Sequence, residues 1–250
     1  SEVGQVGAAL NLMLDHVDEA FRSRFESEEK MRRFVADASH ELRTPLAAIR
    51  GYAELTKRSG DTLSPDLQQA LARIESESIR MTSLVEDLLL LARLDEGEAI
   101  SKEPVDLANI VRDALSDAYV TSPDHDWGAR GVDDAVMVTG DSQGLHQVVV
   151  NLLANARIHT PPGTTVEVRV KQSGNKTTLQ VEDSGPGIPR DARKRLFQRF
   201  ARGDSSRART SGSTGLGLSI VDTIVKAHGG EVTLSSRPGK TVFSVLIPTQ

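Results

Sequence analysis

The 250 residues include no cysteine. That excludes a disulfide framework, thiolate metal ligands and a thiol nucleophile, and it fits a reducing cytoplasm. Positive charge is not in excess either. Thirty Lys and Arg against 35 Asp and Glu leave a formal net charge of −5, so the footprint of a nucleic-acid binder is missing. Long hydrophobic stretches are absent. The longest purely apolar run, Leu88 to Ala92, falls far short of the roughly 18 residues a membrane helix needs. No secretory leader pattern opens the chain. It begins Ser1-Glu2-Val3-Gly4 and is expected to be cut from something longer. What remains is ordinary globular composition, 38% hydrophobic and 26% charged, with enough apolar side chains for a sizeable core. The length suggests more than one domain.

Proline is also scarce at first, with only Pro45 and Pro65 before residue 95. Apolar residues there recur at helical spacing: Phe34, Ala38, Leu42, Leu46 and Ile49, then Leu67, Leu71, Ile74, Met81, Val85, Leu88 and Leu91. Between the two series, residues 59–65 (SGDTLSP) form a turn cluster ending in a Ser-Pro helix start. A long helical hairpin results. One hairpin cannot cover its own apolar stripes, and a dimeric four-helix bundle solves that.

After residues 95–106 the texture changes. Helical stretches (107–118, 141–156, 215–228) alternate with strand-like runs at 164–172, 176–183, 230–236 and 240–248. Ser173-Gly174-Asn175 and Arg237-Pro238-Gly239 read as hairpin turns. The pattern predicts an α/β sandwich, with helices on one face of a mixed sheet. The polar segment 201–214, rich in Gly, Ser and Arg, reads as a mobile lid.

Several residues in this second part carry chemical potential. Asn151 and Asn155 are four apart and share a helix face. An amide oxygen is a hard donor suited to Mg²⁺, although two asparagines facing solvent would look the same. Asp183 ends a strand, where a carboxylate can accept from an exocyclic amine such as that of adenine. Gly185 and Gly187 follow, permitting close backbone approach, or simply making a turn. Gly215 and Gly217 open an apolar helix, which suits phosphate binding or tight helix packing. Other nucleotide motifs fail. Gly239-Lys240-Thr241 lacks the P-loop glycine at position 234, which is Leu234, and a strand follows it. His40-Glu41 is no zinc-protease helix, because Thr44 stands where a second histidine would be.

"SHELRTPL", "NLLANA", "EDSGPGIP", "LFQRF" and "TGLGLSIV" stand in the order and spacing of the H, N, G1, F and G2 boxes of bacterial two-component sensor histidine kinases, and the chain resembles their cytoplasmic region. The resemblance implies a helical hairpin forming a dimeric four-helix bundle, followed by an α/β-sandwich ATP-binding domain of Bergerat type. Residues 1–27 are similar to the last helix of a HAMP linker, 28–98 to the dimerisation and histidine-phosphotransfer hairpin, and 99–250 to the catalytic ATP-binding domain. The cofactors implied are ATP and Mg²⁺. The partners implied are a second copy of the chain and the receiver domain of a response regulator. The resemblance also implies a cytoplasmic portion of a membrane protein, anchored through an N-terminal region the chain lacks.

Carried over by position, His40 is the phosphoacceptor. Asn151 and Asn155 lie at the Mg²⁺-ATP site, with Asn155 as the metal ligand. Asp183 recognises adenine, Gly185, Gly187 and Ile188 shape the pocket, and Thr214, Gly215, Leu216, Gly217 and Leu218 line its phosphate end. Phe197 and Phe200 anchor the lid. The family's basic residue three positions after the second asparagine is replaced here by Ile158, and Arg157 or His159 takes up that charge. Otherwise the remaining histidines, 16, 125, 146, 159 and 228, read as surface or packing residues.

Imidazole is substantially neutral at pH 7. In the family Glu41 accepts from the second ring nitrogen, leaving the attacking lone pair available. Thr44, one turn along, can orient a water toward a phosphorylated regulator, the pattern of a kinase that is also a phosphatase. Pro45 removes an amide donor and crowds the carbonyl of residue 41, so the helix is expected to bend there. Two rival readings share the ATP fold: a clamp-type ATPase with no use for His40, and a non-catalytic ATP-binding scaffold.

Overall fold

A computed structural model describes residues 41, 42, 45, 48, 49, 64–95, 100–201 and 214–249. The chain divides into two units, Ser1–Met81 and Thr82–Gln250. Glu41, Leu42, Pro45, Ala48 and Ile49 are helical, and Pro45 is buried. His40 and Thr44, the linker helix expected over 1–27 and most of the expected lid lie outside the described residues.

Helix α1 (Pro65–Asp95) begins where the Ser-Pro pair predicts. Proline takes the first helical position, where its missing N–H removes nothing, and the Ser64 carbonyl accepts from the Gln68 N–H at 3.0 Å. Along α1, Ala70, Leu84 and Leu91 are buried, but Leu71, Val85 and Leu89 are 44%, 41% and 54% exposed. An apolar stripe left bare in one chain is what a bundle partner would cover.

The remainder is built on a five-stranded sheet of β2 (Asp126–Arg130), β4 (Thr165–Ser173), β5 (Lys176–Asp183), β7 (Lys240–Pro248) and β6 (Glu231–Arg237), in that spatial order. β2 pairs parallel to β4, and the other neighbours are antiparallel. Strands β1 (Glu103–Asp106) and β3 (Met137–Gly140) form a separate two-stranded ladder. Two tight turns close the long hairpins. Gly174-Asn175 joins β4 to β5 with Gly174 at φ +56°, and Pro238-Gly239 joins β6 to β7 with Gly239 at φ +79°, the glycine position of a Pro-Gly type II turn.

Alternation along the strands separates two faces. Val166, Val168, Val170, Leu179, Val181, Phe243, Val245 and Ile247 point inward and are buried. Against them lie the buried residues of α2 (Leu107–Thr121), α3 (Ser142–His159) and α5 (Gly217–Ala227). Asp106 caps α2 by accepting from the Ala108 N–H, and Asp141 caps α3 by accepting from the Gln143 and Gly144 N–H groups. Among the described residues, the opposite sheet face bears a chain of ion pairs, Arg130–Glu167–Arg169–Glu182–Lys240, with Arg169–Glu182 and Lys240–Glu182 both at 2.8 Å. This is the two-layer α/β sandwich the patterning predicts.

Candidate functional site

Helix α3 runs between two clusters of polar and glycine residues. At its C-terminal end Asp183, the last residue of β5, turns inward and is only 5% exposed. Burial pushes its carboxyl above the usual range, and hydrogen bonds from the Gly185 N–H and the Thr241 hydroxyl oppose that rise. The Gly185 N–H donates to Asp183 Oδ1 at 2.9 Å. A Cβ on Gly185 would sit 2.5 Å from Thr160 Cγ2 and 2.7 Å from Asp183 Oδ1, so only glycine fits.

The turn after β5 is stitched to the β6–β7 hairpin. The Gly239 N–H donates to the Gly185 carbonyl at 2.9 Å, and the Ile188 N–H to Ser236 Oγ at 2.9 Å. Ser236 Oγ meets Thr241 Oγ1 at 3.1 Å. Gly187 has φ +81°, and a Cβ there would lie 2.7 Å from the Arg237 carbonyl carbon and oxygen. The short helix α4 (Arg190–Arg193) follows, and Arg193 Nε donates back to the Ile188 carbonyl at 2.8 Å.

The second cluster is centred on Asn151, midway along α3 and nine residues before Thr160, about 13 Å of helix rise at 1.5 Å per residue. Asn151 Oδ1 accepts from Gln147 Nε2 at 3.4 Å, while Asn151 Nδ2 is buried without a partner. A Cβ on Gly217, the first residue of α5, would lie 3.5 Å from Asn151 Oδ1. That is ordinary van der Waals contact, so the start of α5 lies beside this asparagine without needing a glycine there. Asn155 is half-buried one turn further along α3. Arg157 and His159 are exposed, and Ile158 is half-buried.

Phe197 packs edge-on against Phe243 of β7, centroids 6.5 Å apart. Phe200 adopts φ +57°, unusual for a non-glycine residue. Its backbone lies against Gly215, where a Cβ would be 3.1 Å from Phe200 Cα. The Leu216 N–H reaches Thr214 Oγ1 at 3.3 Å, and Leu216 and Leu218 are buried. The backbone at Phe200 and Ala201 thus lies against Gly215.

Three participants escaped the sequence reading: Thr160, Thr241 and Ser236. For Thr241 there was a signal, a polar residue in the inward register of a strand whose other inward positions are Phe243, Val245 and Ile247. Thr160 and Ser236 gave none, since their roles arise from contacts across the fold. A shallow cleft of about 330 Å³ beside Arg130, Glu167 and Glu182 lies on the opposite sheet face, where the charges engage one another.

Comparison with known proteins bears on this arrangement. Residues 140–250 match the family of histidine kinase-, DNA gyrase B- and HSP90-like ATPases, and residues 30–97 match the His Kinase A (phospho-acceptor) domain. The solved mycobacterial sensor histidine kinase MprB is 32% identical with a TM-score of 0.52, matching 60% of this chain and 98% of its own. This chain belongs to the sensor histidine kinases. The probable sensor histidine kinase TcrY of Mycobacterium tuberculosis is 56% identical over 99% of this kinase chain, which covers 52% of TcrY. The histidine kinase ThkA, solved in complex with the response regulator protein TrrA, is 23% identical, with a TM-score of 0.70 over 92% of this chain and 65% of its own, and it speaks for the fold. The chain spans about half the length of the curated relatives it matches. Among the described residues no helix is long and apolar enough to cross a membrane.

Proposed function

We propose that this chain autophosphorylates His40 from Mg²⁺-ATP and passes the phosphoryl group to an aspartate of a response regulator, with phosphatase activity toward that regulator. The observation that carries the reading is α3 itself. The buried Asp183 carboxylate and its glycine turn meet the C-terminal end of the helix at Thr160. The unpartnered Nδ2 of Asn151 lies mid-helix beside the start of α5, nine residues before Thr160 or about 13 Å of helix rise. In this reading the first cluster is the purine end and the second the phosphate end.

In this reading ionised Asp183 accepts from the exocyclic amine of adenine, and Gly185, Gly187 and Ile188 form the floor beneath the ring. The first N–H groups of α5, at Gly217 and Leu218, together with Thr214 to Leu216, face the phosphates. The free Nδ2 of Asn151 donates to a phosphate oxygen. In this reading the Asn155 amide oxygen would hold a Mg²⁺ ion and Arg157 would add charge; burial lowers the His159 pKa, which makes that ring the weaker source of charge. Bound there, the ion neutralises phosphate charge. Phe197 and Phe200 root the lid. His40 attacks the γ-phosphorus in line. The N–P bond forms as the P–O bond to ADP breaks, and Glu41 accepts the hydrogen bond of the other ring nitrogen. Thr44 orients the hydrolytic water in the reverse duty.

The same reading divides the chain into a linker helix (1–27), a phosphotransfer hairpin (28–98) and an ATP-binding domain (99–250). It makes the protein a homodimer through the stripe that includes Leu71 and Val85. Capture of ThkA with TrrA supports a response-regulator partner. Anchoring in a membrane through a preceding segment belongs to the proposal, and fractionation of the protein as cells make it tests that. For the activity, γ-labelled ATP is incubated with the chain and with His40→Gln. Acid-labile, base-stable label on the first alone is expected, and equal labelling of both refutes the reading.

A further inference from the structure

We propose that His125 is a positioning residue for the nucleotide pocket, acting through Thr160 to hold the Gly185 turn, and with it the Asp183 carboxylate, in binding geometry. The inference rests on the nucleotide-binding reading above and deepens it.

His125 is 8% exposed and stacks at 5.6 Å on Trp127, itself 3% exposed. Its Nε2 lies 3.1 Å from Thr160 Oγ1, and its Nδ1 lies 3.3 Å from Asp124 Oδ1. Thr160 Oγ1 in turn lies 2.8 Å from the Ala156 carbonyl and donates to it. A hydroxyl has one proton. With that proton committed to Ala156, Thr160 accepts from His125, so Nε2 of the histidine carries a hydrogen whatever Nδ1 presents to Asp124.

Two hydrogen bonds in different directions fix the Thr160 rotamer and so aim its methyl group. That methyl packs on Gly185, where an added Cβ would come within 2.5 Å of Thr160 Cγ2. Gly185 donates its N–H to Asp183 Oδ1 at 2.9 Å. The links run without a gap from the buried imidazole to the carboxylate proposed to read adenine. The loop bearing His125 is tied to the end of α3 independently. The Gly163 N–H donates to the Asp124 carbonyl at 2.6 Å, and the Asp126 N–H to the Thr164 carbonyl at 3.0 Å. The backbone frame does not need the imidazole. Its ring nitrogen has the threonine to orient.

The test uses the whole chain as wild type, His125→Gln, His125→Phe, Thr160→Val and the His125→Phe/Thr160→Val double variant. Autophosphorylation kcat, KM for ATP, the ADP dissociation constant by calorimetry and the melting temperature are measured for each. His125→Phe and Thr160→Val should each raise KM and the ADP dissociation constant about five-fold, the worth of one net hydrogen bond, with kcat unchanged. The double variant should be no worse than either single one, because both cut the same link. His125→Gln places an amide N–H near the lost Nε2 and should restore wild-type KM. The proposal is overturned if either single variant leaves KM unchanged, if the double effect is the product of the singles, or if the glutamine fails to rescue. Should His125→Phe not fold, Thr160→Val and His125→Gln decide by the same criteria. Wild type that binds no ADP overturns the nucleotide reading itself, whereas wild type that binds while the variants match it overturns this inference alone.

Discussion

Replacing Asp183 by asparagine should weaken nucleotide binding while leaving the fold as stable or more so. The carboxylate is buried, and burial raises its pKa above the usual range despite two donors. The fold therefore holds the charged form at a disadvantage. The sign is definite. Where a native carboxyl pKa lies above its unfolded value, its contribution to stability is greatest below the unfolded pKa and is lost as pH rises toward the folded one. At neutral pH, asparagine removes that penalty and keeps an oxygen for the Gly185 N–H. Toward adenine it has the opposite effect. An anionic acceptor becomes an amide whose NH₂ faces the exocyclic amine. A hydrogen bond to a charged group contributes about 1.5–3 kcal/mol, so affinity should fall about ten- to hundred-fold. Calorimetry with ADP measures the affinity, and thermal unfolding measures stability. Wild-type affinity should also weaken on acidification at a pH above the ordinary aspartate range, and the variant should not respond. Unchanged affinity, or a melting temperature that drops in step with it, would show that Asp183 is structural.

Three further outcomes follow from the geometry. Gly187→Ala puts a side chain at φ +81° and a Cβ 2.7 Å from the Arg237 carbonyl. It should lose at least about 1–2 kcal/mol from the left-handed backbone alone, read as a lower melting temperature. Asp141→Ala removes the acceptor for the Gln143 and Gly144 N–H groups at the start of α3 and should cost about 1 kcal/mol in urea denaturation. Asp87 on α1 has its pKa raised to about 6, by burial first and by Glu86 second. Its contribution to stability is thus present below the ordinary aspartate pKa and lost as pH climbs to about 6. Asp87→Asn should raise the melting temperature at pH 7.5 and not at pH 4, and an NMR titration of the wild-type carboxyl should have its midpoint near pH 6.

Long alternating strands bounded by turn residues were legible. The runs 176–183 and 240–248 match β5 and β7 residue for residue, because Thr, Val, Leu and Phe alternate between glycine turns. Strands β1, β2 and β3 were not. They are four or five residues long, and they contain Pro104, Gly128 and Gly140. Their pairing partners, not their own side chains, make them strands. The same division runs through the site. Asp183 and the glycines announced themselves by position. The apposition of Asn151 to Gly217, and of Thr160 to Gly185, depends on how α3 crosses the sheet. His125, read only as a surface or packing residue, proved buried and hydrogen-bonded for that reason too.

The stitching of the β5 turn to the β6–β7 hairpin has a kinetic consequence. In the proposed site, a platform pinned through Gly239, Ser236 and Thr241 would meet only the purine, which tri- and diphosphate share, so it would not tell fuel from spent product. Discrimination between them and the timing of product escape would fall there to Asn151 and the start of α5.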